Sequence, residues 1–233
     1  MESIRAICFD LDNTLWDVLP PLRRAERIMY EFVKDRYPKI AANLTIEAMR
    51  AARERVPIDH PHMRHDFSFH RLQALRDHAR TYGYPESLAE EVFEVFIGER
   101  SRVELYDEVL PALERLRRKY RLFSASNGNA DLNRIGLAHM FERSVCAREV
   151  GAAKPDAIVF HKVIESTGLE PAEVLFVGDD PEHDVEGARR AGMQPVWINR
   201  TEAPWPAQYA PPPHSVRSLN GLLALVGLGE VKA

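Results

Sequence analysis

Cysteine is scarce: the chain has two, Cys8 and Cys146, in 233 residues. Each lies in an apolar, strand-like run, which reads as buried free thiols in a reducing compartment rather than a disulfide. Long hydrophobic runs are missing as well. No apolar stretch reaches the roughly 20 residues of a spanning helix, and no charged-then-apolar leader precedes the first apolar run, so a cytoplasmic protein is expected. Nor does one sign of charge dominate. Lys plus Arg number 31 against 35 Asp plus Glu, a net charge of −4, which gives no reason to expect nucleic acid or a membrane surface as partner. The basic clusters Arg23-Arg24 and Arg117-Arg118-Lys119 sit among helix-periodic apolar residues and read as solvated helix faces. There is no internal repeat. Asn43-Leu44-Thr45 and Asn199-Arg200-Thr201 match the glycosylation acceptor pattern, which without a secretion signal is coincidence. What remains is an ordinary globular composition, 45% hydrophobic and 28% charged, long enough for one core with a smaller second module.

The chain is organised around Ile4 to Trp16, I-R-A-I-C-F-D-L-D-N-T-L-W. Its apolar run ends in two carboxylates, as a strand buried on both faces would end at a ligand-binding edge. Helical spacing follows for nearly ninety residues. The first helix carries Leu22, Ala25, Ile28, Met29, Phe32 and Val33, between Pro20-Pro21 and Pro38. The second covers about Thr45 to Arg55, with Ala48, Met49 and Ala52 inward and Pro57 as its stop. A third runs from about His65 to Tyr82, and a fourth, after Pro85, turns Leu88, Val92, Phe93 and Phe96 inward. Four helices without a strand between them pack as a small bundle.

From Leu110 onward helix and strand alternate. A helix marked by Leu110, Leu113 and Leu116 precedes the strand Arg121 to Ala125. A helix near Ala130 to His139, a short strand Ser144 to Ala147 and a helix from Pro155 to about Thr167 come next. The strand Val174 to Val177, a helix near Val185 to Ala191 and the strand Pro195 to Ile198 complete the series. Parallel βαβ units follow from this alternation. The expected fold is therefore α/β, a Rossmann-like parallel sheet from residues 1–16 and 105–233, with an inserted all-α helical cap at 17–104. Pro204 to Pro213 reads as an irregular surface loop and Ser218 to Val226 as a short terminal helix.

Four polar clusters each follow a predicted strand: Asp10-Leu11-Asp12-Asn13-Thr14, Ser126-Asn127-Gly128, Ala153-Lys154-Pro155-Asp156, and Gly178-Asp179-Asp180 with Asp184. In a parallel sheet all four share one edge. Carboxylates suit a hard cation such as Mg²⁺, a lysine suits a phosphate, and a hydroxyl with glycine-permitted N–H groups can hold phosphate oxygens. The set describes a phosphoryl-transfer site in which a carboxylate could be the nucleophile.

These ordered motifs resemble the haloacid dehalogenase superfamily. The resemblance implies that Asp10 is the nucleophile forming an aspartyl-phosphate and that Asp12 is the general acid/base. It makes Thr14, Ser126, Asn127 and Lys154 the phosphate-binding groups. Asp10, Asp179 and the Asp12 backbone carbonyl become the Mg²⁺ ligands, with Asp180 and Asp184 one layer further out, Asp184 holding a metal-bound water. The insertion matches the helical cap of that superfamily, which closes over the site and selects substrate. Asp12 argues against dehalogenation, where no leaving alcohol needs a proton, and Asn13-Thr14-Leu15 looks like the phosphatase form rather than the mutase form. L-D-N-T-L-W, S-N-G-N-A, G-D-D-x-x-x-D and V-W-I-N look like bacterial phosphatases acting on flavin mononucleotide or on the phosphorylated ribityl-aminouracil of riboflavin synthesis. The chain departs from them at Asn13, where acidic residues are frequent, and at Ser126, where threonine is usual. The expected partner is a small phosphorylated metabolite, with monomer and homodimer both open. The rival class is a catalytically silent binding module, whose mark would be loss of Asp10, Asp12, Lys154 or Asp179; all four are present.

His60, His62, His65 and His70 lack a tetrahedral zinc spacing and read as a solvated helix start, some of them, with Arg64 or Arg71, able to face substrate. Phe67 and Phe69 read as core, whereas Trp16 reads equally as core or as a contact for a planar ring. Asn129 and Asp131 are read as the start of the helix after Gly128.

Overall fold

The computed structural model describes residues 3–229. The chain divides into two compact units. One comprises Met1–Asp17, Glu104–Gly128 and Gly136–Ala233, the other Val18–Val103 with Asn129–Ile135.

The first unit is built on a six-stranded sheet: β1 (Ala6–Phe9), β2 (Arg121–Ser126), β3 (Arg143–Cys146), β4 (Val174–Gly178), β5 (Gln194–Ile198) and β6 (His214–Val216). The order is β3-β2-β1-β4-β5-β6 and every pairing is parallel. β1 is wholly buried, which explains its lack of polar alternation. Ala6 and Cys8 face a cluster with Phe123, Phe176, Phe160 and Val163, while Ile7 and Phe9, buried as deeply, point to the opposite face. Both cysteines are free, as expected, Cys8 fully buried and Cys146 partly. Among the described residues no helix is long and apolar enough to cross a membrane.

Local differences from the periodicity have local causes. β6 is only three residues long, too short for alternation to register. The helix after β2 spans Leu132–Ile135 and stops at Gly136, whose φ of +87° leaves the helical region; a separate 3₁₀ turn, Ala138–Met140, follows. Asp131, as expected, caps this start by accepting from the N–H of Asn133 at 2.9 Å. Leu110 is exposed, and Val109, Leu113 and Leu116 form the buried stripe of the Val109–Leu116 helix. The proline-rich stretch has no helix or strand, yet Trp205 is fixed there, its ring 4.9 Å from that of Trp197.

The second unit contains the helices Leu19–Arg36, Ile46–Asp59, Phe67–Tyr82 and Leu88–Arg100, with a short helix at Pro38–Ala41 and a 3₁₀ turn at Pro61–Met63. Pro20 and Pro21 lie in a first turn, where no helical N–H bond is lost. Thr45 and Asp66 cap the second and third long helices by accepting from Ala48 and Phe69 N–H groups, and Gly83 ends the third in the left-handed conformation. Pro57 lies inside the second helix rather than stopping it: the helix runs on to Asp59 although proline has no N–H for the bond back to the Arg53 carbonyl. That helix buries Met49 and Val56, not Ala48, and its Arg50 and Arg53 reach the buried Glu26 carboxylate at 2.6 and 3.1 Å. The core joins Ala25, Met29, Val33, Leu75, Ala79, Val92 and Phe96.

Two glycines predict opposite responses. A Cβ at Gly187 would lie 2.6 Å from the buried Phe160 ring and 3.1 Å from the Pro155 backbone. Gly187→Ala is therefore expected to destabilise by an overpacking cost of about 1–3 kcal/mol. At Gly98, inside the last long helix of the second unit, the nearest atom would be at an ordinary 3.7 Å. Gly98→Ala should stabilise that helix by about 0.5–1 kcal/mol. Thermal melts of the two variants, moving in opposite directions from the parent, check both.

Candidate active site

Parallel pairing brings the polar loops to the carboxyl edge of the sheet. Asp10 follows β1 directly and its N–H donates to the Val177 carbonyl at 2.9 Å. The next residues close a tight loop. The N–H groups of Thr14 and Leu15 converge on the Leu11 carbonyl at 3.2 and 2.8 Å, and the Asn13 N–H donates to the Trp16 carbonyl at 2.7 Å. Asn13 takes φ +61°, a conformation its short polar side chain tolerates better than most. Ser126 ends β2, and Asp179 follows β4. Against the expectation from the sequence, Lys154 does not follow β3 directly: the one-turn helix Ala147–Val150 intervenes.

The centre of this edge is a charge cluster. Lys154 Nζ donates to Asp10 Oδ1 and to Asp184 Oδ1, both at 2.6 Å, with the lysine only 3% exposed. One carboxylate oxygen each from Asp10, Asp179 and Asp184 lie within 4.8 Å of one another, the one group of acids, histidines or cysteines so placed among the described residues. When all three are ionised, three carboxylates face one ammonium in a buried place, which is costly without a further cation. Burial pushes Asp10 well above the usual carboxylate range against the attraction of Lys154. Burial, then the neighbouring Asp184 and Asp180, pushes Asp179 up to about 7. For Lys154 burial works downward, but the Asp10 and Asp184 carboxylates outweigh it and hold the ammonium charged. An all-oxygen donor set with this surplus of negative charge can hold a hard divalent cation.

The other acids differ in their placement. Asp184, expected one layer out, has its carboxylate inside the group; its Oδ2 also accepts from the Asp180 N–H at 3.0 Å. Gly178 makes the room, since a Cβ there would fall 2.2 Å from Asp184 Oδ2. The Asp180 carboxylate instead caps the following turn, accepting from the N–H groups of Glu182 and His183 at 2.8 Å. The Asp12 side chain also stands outside the group. Its Oδ1 accepts from the Trp16 indole N–H at 2.8 Å, and its Oδ2 borders Gly128, where a Cβ would come within 2.5 Å.

The remaining groups are positioned by ties that the sequence does not display. Asn127 and Lys154 exchange two bonds: Asn127 Nδ2 donates to the Lys154 carbonyl at 3.0 Å, and the Lys154 N–H donates to Asn127 Oδ1 at 2.7 Å. Ser126 Oγ accepts from the Gly128 N–H at 3.0 Å. Thr14 Oγ1 is buried without a hydrogen-bond partner among the described residues, while the Thr14 carbonyl accepts from Arg200 Nε and Nη2 at 3.1 and 2.8 Å. Arg200 in turn pairs with Glu108 at 2.9 Å and stacks on the Tyr106 ring at 3.8 Å. Sequence reasoning missed Arg200, although it follows β5 closely, as the recognised clusters follow their strands. Trp197 was missed similarly; its indole donates to the Asp179 carbonyl at 2.8 Å. Trp16 is fully buried, so the core reading holds for it. Phe67 is not core but 49% exposed, and Phe69 is half-buried against His60. His70 hydrogen-bonds the Met63 carbonyl, and none of the four histidines joins a metal-competent group among the described residues.

Lys154→Met removes the one ammonium from this cluster, and breaking a buried pair in this way costs about 3–5 kcal/mol. The sign of the pH dependence follows from the raised carboxylates. The stability contributed by protonated Asp179 is full below its ordinary 3.8 and lost as pH rises through about 7, and Asp10 moves in the same direction. Metal-free Lys154→Met should therefore lose most melting temperature relative to the parent at about pH 8, and much less near pH 5. A pH-independent difference would contradict this charge assignment.

Comparison with known proteins agrees with the motifs. Residues 4–192 match the haloacid dehalogenase-like hydrolase family. The Escherichia coli K12 protein 5-amino-6-(5-phospho-D-ribitylamino)uracil phosphatase YigB is 32% identical over 202 residues, covering 85% of this chain and 84% of its own. Mouse N-acylneuraminate-9-phosphatase is 28% identical, with 96% of this chain and 95% of that one covered. A solved structure described as a 2-haloacid dehalogenase from Pseudomonas syringae pv. Tomato DC3000 superposes with a TM-score of 0.90 at 32% identity, over 96% of this chain and 98% of that chain. The chain belongs to the haloacid dehalogenase-like hydrolases, as an enzyme of the phosphatase type.

Proposed function

We propose that this protein is a Mg²⁺-dependent phosphomonoester hydrolase that works through an aspartyl-phosphate on a small phosphorylated metabolite. The observation that carries the reading is the buried group Asp10–Asp179–Asp184 with Lys154 between two of its members, and Asp12 held beside it but outside it. Asp10, Asp179 and the Asp12 backbone would hold the ion, with Asp184 close enough to contribute. A bound Mg²⁺ supplies positive charge for the phosphoryl oxygens and lets the clustered carboxylates stay ionised.

The chain's own residues carry the two steps. An Asp10 oxygen attacks phosphorus, the bond from phosphorus to the ester oxygen breaks, and Asp12 gives that leaving oxygen its proton. Asp12, now ionised, takes a proton from water as the water oxygen attacks phosphorus. The bond to Asp10 breaks, and the Asp10 carboxylate and inorganic phosphate are released. Lys154, Ser126, Thr14 and Asn127 serve the phosphoryl group, Lys154 by its charge and Asn127 by holding the Lys154 backbone. Every group named in the chemistry belongs to the sheet unit; that the helical unit selects the substrate is carried by the resemblance to capped members of the superfamily alone.

The phosphorylated ribityl-aminouracil of riboflavin synthesis and flavin mononucleotide are the first substrates to try. The motif resemblance and the named activity of the E. coli relative support them. The two free thiols support a reducing, cytoplasmic place of action. The dehalogenase names of several structural neighbours favour a second reaction, halide release. Against it, a departing halide needs no proton, which would leave Asp12 without work.

A phosphate-release screen across flavin mononucleotide, sugar phosphates and nucleotides, with 2-chloropropionate as a halide-release control, tests this. Turnover is expected with Mg²⁺, lost on chelation and reduced by about three orders of magnitude or more in Asp10→Asn. Halide release without phosphate release, or phosphate release untouched by Asp10→Asn, would overturn it.

A further inference from the structure

A buried indole is an unusual neighbour for a carboxylate that must exchange protons. Trp16 is fully buried, and the only polar group of its side chain, the indole N–H, is spent on Asp12 Oδ1 at 2.8 Å. The contact follows from how the loop closes. Trp16 pairs as an isolated bridge with Asp12 on one side and with Leu105 on the other, and its carbonyl accepts the Asn13 N–H. The backbone therefore returns the side chain four residues on to the carboxylate it started from.

An indole N–H can donate but never accept. With Oδ1 already accepting the indole N–H, a proton on Asp12 is better placed on Oδ2, the oxygen bordering Gly128 of the Ser126-Asn127-Gly128 loop. An aliphatic or phenyl side chain at position 16 could occupy part of that space but could not hold Asp12 this way.

We infer that Trp16 is a positioning residue for proton transfer: its indole N–H fixes the rotamer of Asp12 and assigns the transferable proton to Oδ2. The inference rests on the phosphatase reading above. It goes beyond that reading in separating the two halves of the first step, since bond formation by Asp10 does not need Trp16 and protonation of the leaving oxygen does.

The separation is measurable through the leaving group. An alkyl phosphate expels a basic alkoxide that needs the proton, whereas p-nitrophenyl phosphate expels a stable anion that does not. In Trp16→Phe, kcat/KM for an alkyl phosphomonoester should fall about tenfold or more, the worth of a hydrogen bond to a charged group. For p-nitrophenyl phosphate it should change less than about threefold. Equal losses on both substrates, or no loss on either, would overturn the inference. Absence of turnover in the parent protein would instead overturn the phosphatase reading on which it rests. Should Trp16→Phe fail to fold, site-specific benzothienylalanine at position 16 keeps the bicyclic shape, replaces N–H by sulfur and reads out identically. The indole proton resonance of Trp16 provides a check independent of turnover. It should move upfield in Asp12→Asn, where a carboxylate acceptor becomes an amide, and an unmoved resonance would contradict the contact.

Discussion

The ammonium of Lys154, set between Asp10 and Asp184, is the interaction on which the rest of the edge depends. It lets three carboxylates lie within one small group at the end of a buried sheet without the full cost of uncompensated charge. It does not balance them. Burial first, and the neighbouring negative charge after it, raise the Asp10 and Asp179 carboxyls, and the surplus makes the group an acceptor for a divalent cation rather than a finished ion pair. Burial of β1 on both faces and its pairing with β2 and β4 fix where these side chains begin, so the core's packing and the site's electrostatics are one problem.

Around that charge group, backbone is held by side chains from distant parts of the chain. Arg200 holds the Thr14 carbonyl, Trp197 the Asp179 carbonyl, and Asn127 the Lys154 peptide. Arg200 and Asn127 reach from the loop after one strand to that after another, and Trp197 reaches from β5 itself to the loop after β4. Glycine has a complementary part: at Gly178 and Gly128 a methyl group would occupy the space of the Asp184 and Asp12 carboxylates. The site is made as much by these exclusions as by its charged groups.

Much of this was legible in the sequence because it is local. Strand-then-acid junctions at Phe9-Asp10 and Gly178-Asp179 announce a parallel sheet with its chemistry at one edge, and the long helical insertion is visible from spacing alone. Illegible parts depend on partners far along the chain. Nothing in G-D-D-x-x-x-D distinguishes Asp184, which joins the carboxylates, from Asp180, which caps a turn, until the turn's N–H groups are placed. Burial at Trp16 and exposure at Phe67 depend likewise on what packs over each ring. Ala48 and Leu110 look apolar in a periodic pattern, but the buried stripes of their helices run through Met49 and Val109.

The most direct test of the account is a calorimetric titration of Mg²⁺ into metal-free protein at about pH 6.5, repeated in buffers of different ionisation enthalpy. If the surplus carboxylate charge of Asp10, Asp179 and Asp184 is what the cation answers, one ion binds per chain and protons leave with it, fewer at about pH 8 than at pH 6.5. Binding with no proton release at either pH, or no binding at millimolar Mg²⁺, would contradict it.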